Sequence, residues 1–177
     1  MKVGLIRHFK VTRGYPNQLV TSDELMKWVH EYDASDVEEN EIDLNHIDWK
    51  KCFSSDLPRA KKTAEKVFTG RIVYMEGLRE IPLSPFFRPN MRLPLFLHLM
   101  VIRVAWLLNH QSQRGSKSEV VHRIKAALDQ ILISNEDVLI VGHGGLMTFM
   151  RKELIQRNFK GPKFKRAQNG KLYIFEK

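Results

Sequence analysis

A chain of 177 residues holds one domain with a full core, so residues 1–177 are read as a single unit rather than two. Its 43% hydrophobic and 28% charged content fits a folded soluble protein, and no internal repeat or low-complexity stretch interrupts it. The formal net charge of +9 is unevenly spread: Asp23 to Asp48 is strongly acidic, whereas Arg151 to Lys177 carries nine basic residues against Glu153 and Glu176. Such a balance favours anionic partners: a phosphorylated small molecule, nucleic acid or an anionic membrane. Nucleic acid is not expected, because no recognition signature accompanies the charge, and neither is a membrane.

The first strand is read at about 2–6, directly after Met1-Lys2, so no targeting peptide is expected. With a lone, buried Cys52 that has no disulfide partner in the chain, a cytoplasmic location is expected. A loop through Gly14 and Pro16 follows, and Ser22 before Asp23-Glu24-Leu25 reads as the N-cap of a helix to about Tyr32. The acidic stretch Asp33 to Asn45 reads as a surface loop with a little helix. Lys51 to Ser55 is a second strand, and Pro58 suits the first turn of a helix to about Phe68. Arg71 to Met75 is a third short strand.

Leu93 to Leu108 is apolar nearly all round, yet shorter than the roughly 20 residues a bilayer span needs. It reads as a mostly buried helix within an insert at about 92–112 that caps the site; Trp106 is a candidate for the pocket lining. Arg92, Arg103, His110 and Arg114 fall on one stripe at 100° per residue, and a homodimer or a membrane-surface contact through this helix is the alternative. Ser116 and Ser118 lead a helix from Glu119 to Leu132, Val138 to Val141 is a strand, and Gly144-Gly145 open a helix to about Arg157. Asn169-Gly170 then turns the chain into a last strand, Lys171 to Phe175. Strands alternating with helices predict a three-layer α/β/α sandwich: a central, mostly parallel sheet with helices on both faces.

In such a sheet ligands sit beyond the carboxyl ends of the strands. Arg7-His8 closes the first strand and His143 closes Val138 to Gly142, so two imidazoles reach one edge. The glycines after His143 let backbone approach an anion at a helix N-terminus. Arg59, one residue beyond Pro58, is a cation at a helix start, a cost that a bound anion would relieve. Two arginines and two histidines at strand ends make a pocket suited to phosphate. The remaining histidines, His30, His46, His98, His110 and His122, and the tryptophans Trp28, Trp49 and Trp106 read as packing or surface residues.

Val3 to His8 resembles the N-terminal strand and Arg-His signature of the histidine phosphatase superfamily, which includes the phosphoglycerate mutases. Ser54 to Ala60 with Thr63-Ala64 is similar to its second arginine motif, Leu78-Arg79-Glu80 to its short acidic motif, and Val141 to Gly145 to its second histidine. The resemblance implies a metal-independent phosphatase without cofactor, in which His8 attacks phosphorus and becomes a phosphohistidine. It further implies that Arg7, Arg59 and His143 hold the phosphoryl oxygens and that Glu80 gives and takes the proton, with Glu76 as the fallback. In one branch of the superfamily an aspartate directly follows the second histidine, and here that position is Gly144. A mutase-type phosphoryl transferase and a non-catalytic anion-binding module are the alternatives. Phe9 stands where the superfamily has glycine and is expected to add bulk at the mouth, with Lys10 or Arg13 as further anion contacts. Thr12 and Asn17 lie out of register with the superfamily's threonine and asparagine.

Overall fold

Val3 to Ile6 and Val138 to Val141 lack the alternation of a half-wet strand, and both runs are buried on their two faces. The computed structural model, which describes residues 1–177, places them side by side in the middle of a sheet. In chain order the elements are β1 (Lys2–Arg7), β2 (Lys10–Val11), β3 (Leu19–Val20), α1 (Ser22–Ala34), β4 (Val37–Glu38), β5 (Lys51–Ser55), α2 (Pro58–Val67) and β6 (Ile72–Met75). There follow β7 (Leu93–Pro94), α3 (Leu95–Leu107), α4 (Lys117–Leu132), β8 (Val138–Gly142), α5 (Gly144–Gln156) and β9 (Leu172–Glu176).

The five-stranded sheet runs β6-β5-β8-β1-β9, parallel throughout except for β9. Gly170, at φ +60°, makes the left-handed turn into β9 that a residue with a Cβ adopts only under strain. Side chains alternate across the sheet, which sorts the core into two layers. Val3, Leu5, Val138 and Ile140 face α4 and α5, packing on Ile124, Leu128, Leu146 and Met150. Ile6, Leu139, Val141 and Cys52 face the other way, onto Ala60 and Ala64 of α2 and onto Trp49. Helices therefore cover both faces of a mostly parallel sheet.

Beside the sandwich, α1 and α3 pack on each other through Leu25, Trp28, Leu95 and Ile102. Two short ribbons, β2 with β4 and β3 with β7, tie this part to the loops above the sheet. No helix is long and apolar enough to cross a membrane.

Several local expectations change. The N-cap of α1 is Thr21, whose hydroxyl accepts from Glu24 N–H while the Glu24 carboxylate accepts from Thr21 N–H; Ser22 instead donates to the Phe87 carbonyl. The acidic stretch after α1 holds a strand, β4, and no helix. The helix α3 stops at Leu107, and Asn109, at φ +53°, turns the chain, so Arg92, His110 and Arg114 lie outside it and form no helical stripe with Arg103. Nor is α3 mostly buried: Leu95, His98, Ile102, Ala105 and Trp106 point inward, but Phe96, Met100, Val104 and Leu107 face solvent. Uniform hydrophobicity carries no phase, so the sequence does not say which side is covered.

Candidate active site

Three parallel strands deliver the site. β1 and β8 end in register, Arg7 opposite Gly142, and the His8 N–H donates to the Gly142 carbonyl at 2.9 Å. The chain therefore leaves both strands at the same level, and the His8 and His143 rings meet with centroids 5.2 Å apart. β5, paired to the other edge of β8, ends at Ser55 and turns through Leu57 into α2, whose second residue is Arg59. Arg7, His8, Arg59 and His143 thus share one sheet edge, and the charges of Arg59, His8 and Arg7 all bear on His143.

His8 is fixed by its own backbone: Nδ1 lies 2.6 Å from the Phe9 carbonyl. A carbonyl only accepts, so Nδ1 carries the hydrogen and Nε2 keeps its lone pair. Burial, then the nearby Arg59 cation and last Arg7, pushes the His8 pKa down to about 3, against an upward pull of the Phe9 hydrogen bond that exceeds only the Arg7 contribution. His143 is held well below its ordinary value, first by burial and then by Arg59, His8 and Arg7. At neutral pH both rings are neutral, which is the protonation state a nitrogen nucleophile needs. The His143 Nε2 lies 2.9 Å from the Ser55 hydroxyl, and its Nδ1 is buried without a partner.

The two arginines are held from outside. Arg7 donates to the Ala167 carbonyl at 2.8 Å, and burial lowers its pKa. Arg59 is buried, donates to Asp33 Oδ1 at 2.6 Å and lies 5.5 Å from the centroid of the Tyr32 ring. Both keep a buried Nε with no partner. Tyr32 in turn has its hydroxyl pKa raised, chiefly by burial.

The anion seated at the N-terminus of α5 is the Glu80 carboxylate. Oε2 accepts from Gly145 N–H and Oε1 from Leu146 N–H, each at 2.9 Å, and Oε1 also accepts from Ile81 N–H at 2.9 Å. The glycines permit this approach: a Cβ on Gly145 would lie 2.7 Å from Glu80 Oε1, and one on Gly144 3.1 Å from Arg7 Nε. Glu80 is therefore beside Arg7 and the helix that begins after His143. Glu76 points instead to Arg79 on the surface. Arg123 of α4, absent from the sequence-level site, donates to the Glu76 carbonyl at 3.3 Å and places its charge near both Glu80 and His143.

Three expectations about the first loop change. Phe9 does not narrow a mouth; it is fully buried with Val11 and Val37, and its N–H donates to Thr63 Oγ1 at 2.9 Å. Lys10 and Arg13 are engaged by Glu38 and Glu31. Sequence reasoning also missed Asn169, whose amide donates to the His8 carbonyl at 2.8 Å and the Phe9 carbonyl at 3.3 Å. Nothing local flags it, because Asn169-Gly170 reads as turn chemistry. Ser55 was within reach, since it directly precedes the Asp56 to Arg59 run. Cys52 is inert core, its thiol pushed up to about 12 by burial.

Residues 37–176 match the profile of the histidine phosphatase superfamily (branch 1). No curated protein sequence matches the chain. Among solved structures, it resembles a phosphoserine phosphatase from Entamoeba histolytica, crystallised as a histidine-to-alanine mutant with phosphoserine, at 15% identity and TM-score 0.58, covering 98% of this chain and 89% of that one. It also resembles a mycobacterial glucosyl-3-phosphoglycerate phosphatase (18% identity, TM-score 0.56, 88% and 79% covered). A third is the α-ribazole phosphatase of Shigella flexneri (18% identity, TM-score 0.54, 98% and 89% covered). At these identities the likeness is one of fold, and the profile match over most of the chain supplies the family. The chain belongs to the histidine phosphatase superfamily.

Proposed function

We propose that this protein is a metal-independent phosphatase that hydrolyses a small-molecule phosphomonoester through a phosphohistidine on His8. One observation carries the reading: Arg7 Nε, Arg59 Nε and His143 Nδ1 are buried without partners around a neutral His8. Buried polar nitrogens are normally paired, and a phosphoryl group offers three oxygens to three such groups. Solved proteins of the same fold are named for phosphoserine, glucosyl-3-phosphoglycerate and α-ribazole substrates, which supports small phosphate esters as the class.

The steps follow from the placement. His8 Nε2 attacks phosphorus, and the bond from phosphorus to the leaving oxygen breaks as the N–P bond forms. Arg7, Arg59 and His143 hold the equatorial oxygens and stabilise the charge spread over them, which is where most of the catalysis of phosphoryl transfer lies. The Ser55 hydroxyl accepts from Leu57 N–H at 3.3 Å, so its own hydrogen is free for His143 Nε2. His143 then presents Nδ1–H to the phosphoryl group. Glu80 acts from its protonated form, with the proton on the Oε2 lone pair that the Gly145 N–H leaves free, and gives that proton to the departing oxygen. Water then attacks the phosphohistidine, Glu80 takes back a proton, and the N–P bond breaks to release inorganic phosphate.

Hydrolysis of p-nitrophenyl phosphate in a chelator, by wild type and by His8→Ala, tests the reading. Chelator-insensitive turnover that falls at least about a thousandfold in the variant supports it. Equal turnover in both proteins refutes it.

A further inference from the structure

We infer that the outer face of α3 is a docking surface for an anionic lipid bilayer, on which this protein lies without crossing it. The helix is apolar on both sides. Its inner side, Leu95, Ile102 and their neighbours, packs on α1. On the opposite side Phe96, Met100, Val104, Leu107 and Leu108 recur at spacings of four and three, which stacks them on one face. Phe96 is 69% exposed and Leu108 76%, with Met100 at 54% and Val104 at 50%. Phe86 and Met91, just before the helix, are also exposed. Isolated exposed apolar residues are ordinary, but a contiguous set of this size marks a contact surface.

Charge identifies the partner. Between Glu80 and Glu119 the chain has no acidic residue at all, yet it carries Arg88, Arg92, Arg103, Arg114 and Lys117. Arg103 lies on α3 itself, leaning on the Trp106 ring at 5.7 Å, and Arg92, three residues before the helix, is exposed and pairs with the exposed Glu24 of α1 at 3.6 Å. Arg114 and Lys117, both exposed, follow its C-terminus. A second copy of the same face would oppose cations to cations, with no carboxylate in the segment to pair them. An anionic bilayer supplies both things this surface lacks: apolar depth for Phe96, Met100 and Leu108, and negative headgroups for the arginines. Thirteen residues of helix span about 20 Å, too short for the roughly 30 Å hydrocarbon core, so α3 lies in the interface.

Co-sedimentation of the full chain with phosphatidylcholine vesicles, and with vesicles that also contain phosphatidylglycerol, tests this at about 0.1 M salt. The expected result is at least about tenfold stronger partition onto the anionic vesicles, since each cation near such a surface contributes about fivefold. Phe96→Glu and Leu108→Glu, made separately, each weaken that partition about tenfold or more while leaving thermal unfolding and p-nitrophenyl phosphate turnover unchanged, because neither side chain belongs to the core or the catalytic edge. Absence of wild-type binding to anionic vesicles overturns the inference. So does binding undiminished in both variants, which would place the contact elsewhere. A dimer seen by light scattering that both variants dissolve would assign the face to a second copy instead. Loss of phosphatase activity in His8→Ala bears on none of these outcomes.

Discussion

Glu80 is the residue whose assigned role is most open to a single substitution. Its carboxylate is gripped by Gly145, Leu146 and Ile81 N–H groups, which fixes it beside Arg7 rather than leaving it on the surface. A proton donor matters in proportion to the basicity of the oxygen that departs. Glu80→Gln should therefore lower kcat/KM, which reports only through departure of the leaving group, by about 10²–10⁴-fold on an alkyl phosphomonoester, and far less on p-nitrophenyl phosphate, whose leaving group needs no proton. Equal losses on both substrates, measured in steady state, would reduce Glu80 to a positioning group. Residues such as His8, Arg59 and Glu80 were legible because each sits inside a short local pattern. Asp33, Tyr32 and Asn169 were not, because each acts on a partner distant in sequence: Asp33 and Tyr32 on Arg59, and Asn169 on the His8 and Phe9 carbonyls. Phe9 shows the same limit in reverse, since only the meeting of β2, β4 and α2 buries it.

Among the elements, the turn from β8 into α5 is where sequence, backbone and chemistry are most tightly joined. Gly145 lies in the first turn of α5, with no unusual backbone angle, and its missing Cβ is what admits the Glu80 oxygen. In Gly145→Ala the clash falls on the mobile end of a side chain, so the backbone need not move, and alanine is the better helix former by about 1 kcal/mol. The expected variant unfolds only slightly below wild type, because the helix gain offsets part of the Gly145 and Leu146 hydrogen bonds that Glu80 loses, and yet it loses most of its turnover of alkyl phosphates, because Glu80 is displaced. A variant that unfolds far below wild type, or one that keeps full activity, would contradict this geometry. The turn was legible as a glycine-opened helix after an apolar strand; that its anion is a carboxylate of the chain itself was not, because that depends on how the Leu78 to Ile81 segment folds back. For α3 the difficulty was different. A helix with no polar side gives no periodic signal, so its existence could be read and its covered face could not.

For the molecule as a whole, the site is an electrostatic liability that the fold tolerates: a buried, cation-rich edge with two imidazoles that resist protonation. In the unfolded chain His8 takes up a proton as pH falls below about 6.5, whereas in the folded chain it does so only near about 3. Between those values the unfolded state binds more protons, so stability is retained above about pH 6.5 and declines as pH falls toward about 3. His143, also depressed, acts in the same sense. Thermal unfolding recorded across this range should fall less steeply for His8→Asn than for wild type; parallel curves would contradict the burial argument. A mostly parallel sheet between two helical layers could be read from unbroken strand runs alternating with helices, the strand order could not, and this architecture is what makes distant residues converge. The central claim, that they converge to make His8 a phosphoryl acceptor, is tested most directly by rapid acid-free quench of the enzyme with 32P-labelled phosphomonoester. Wild type is predicted to carry an acid-labile, base-stable phosphoryl label that His8→Ala lacks, whereas no covalent label, or a label that persists in His8→Ala, would contradict it.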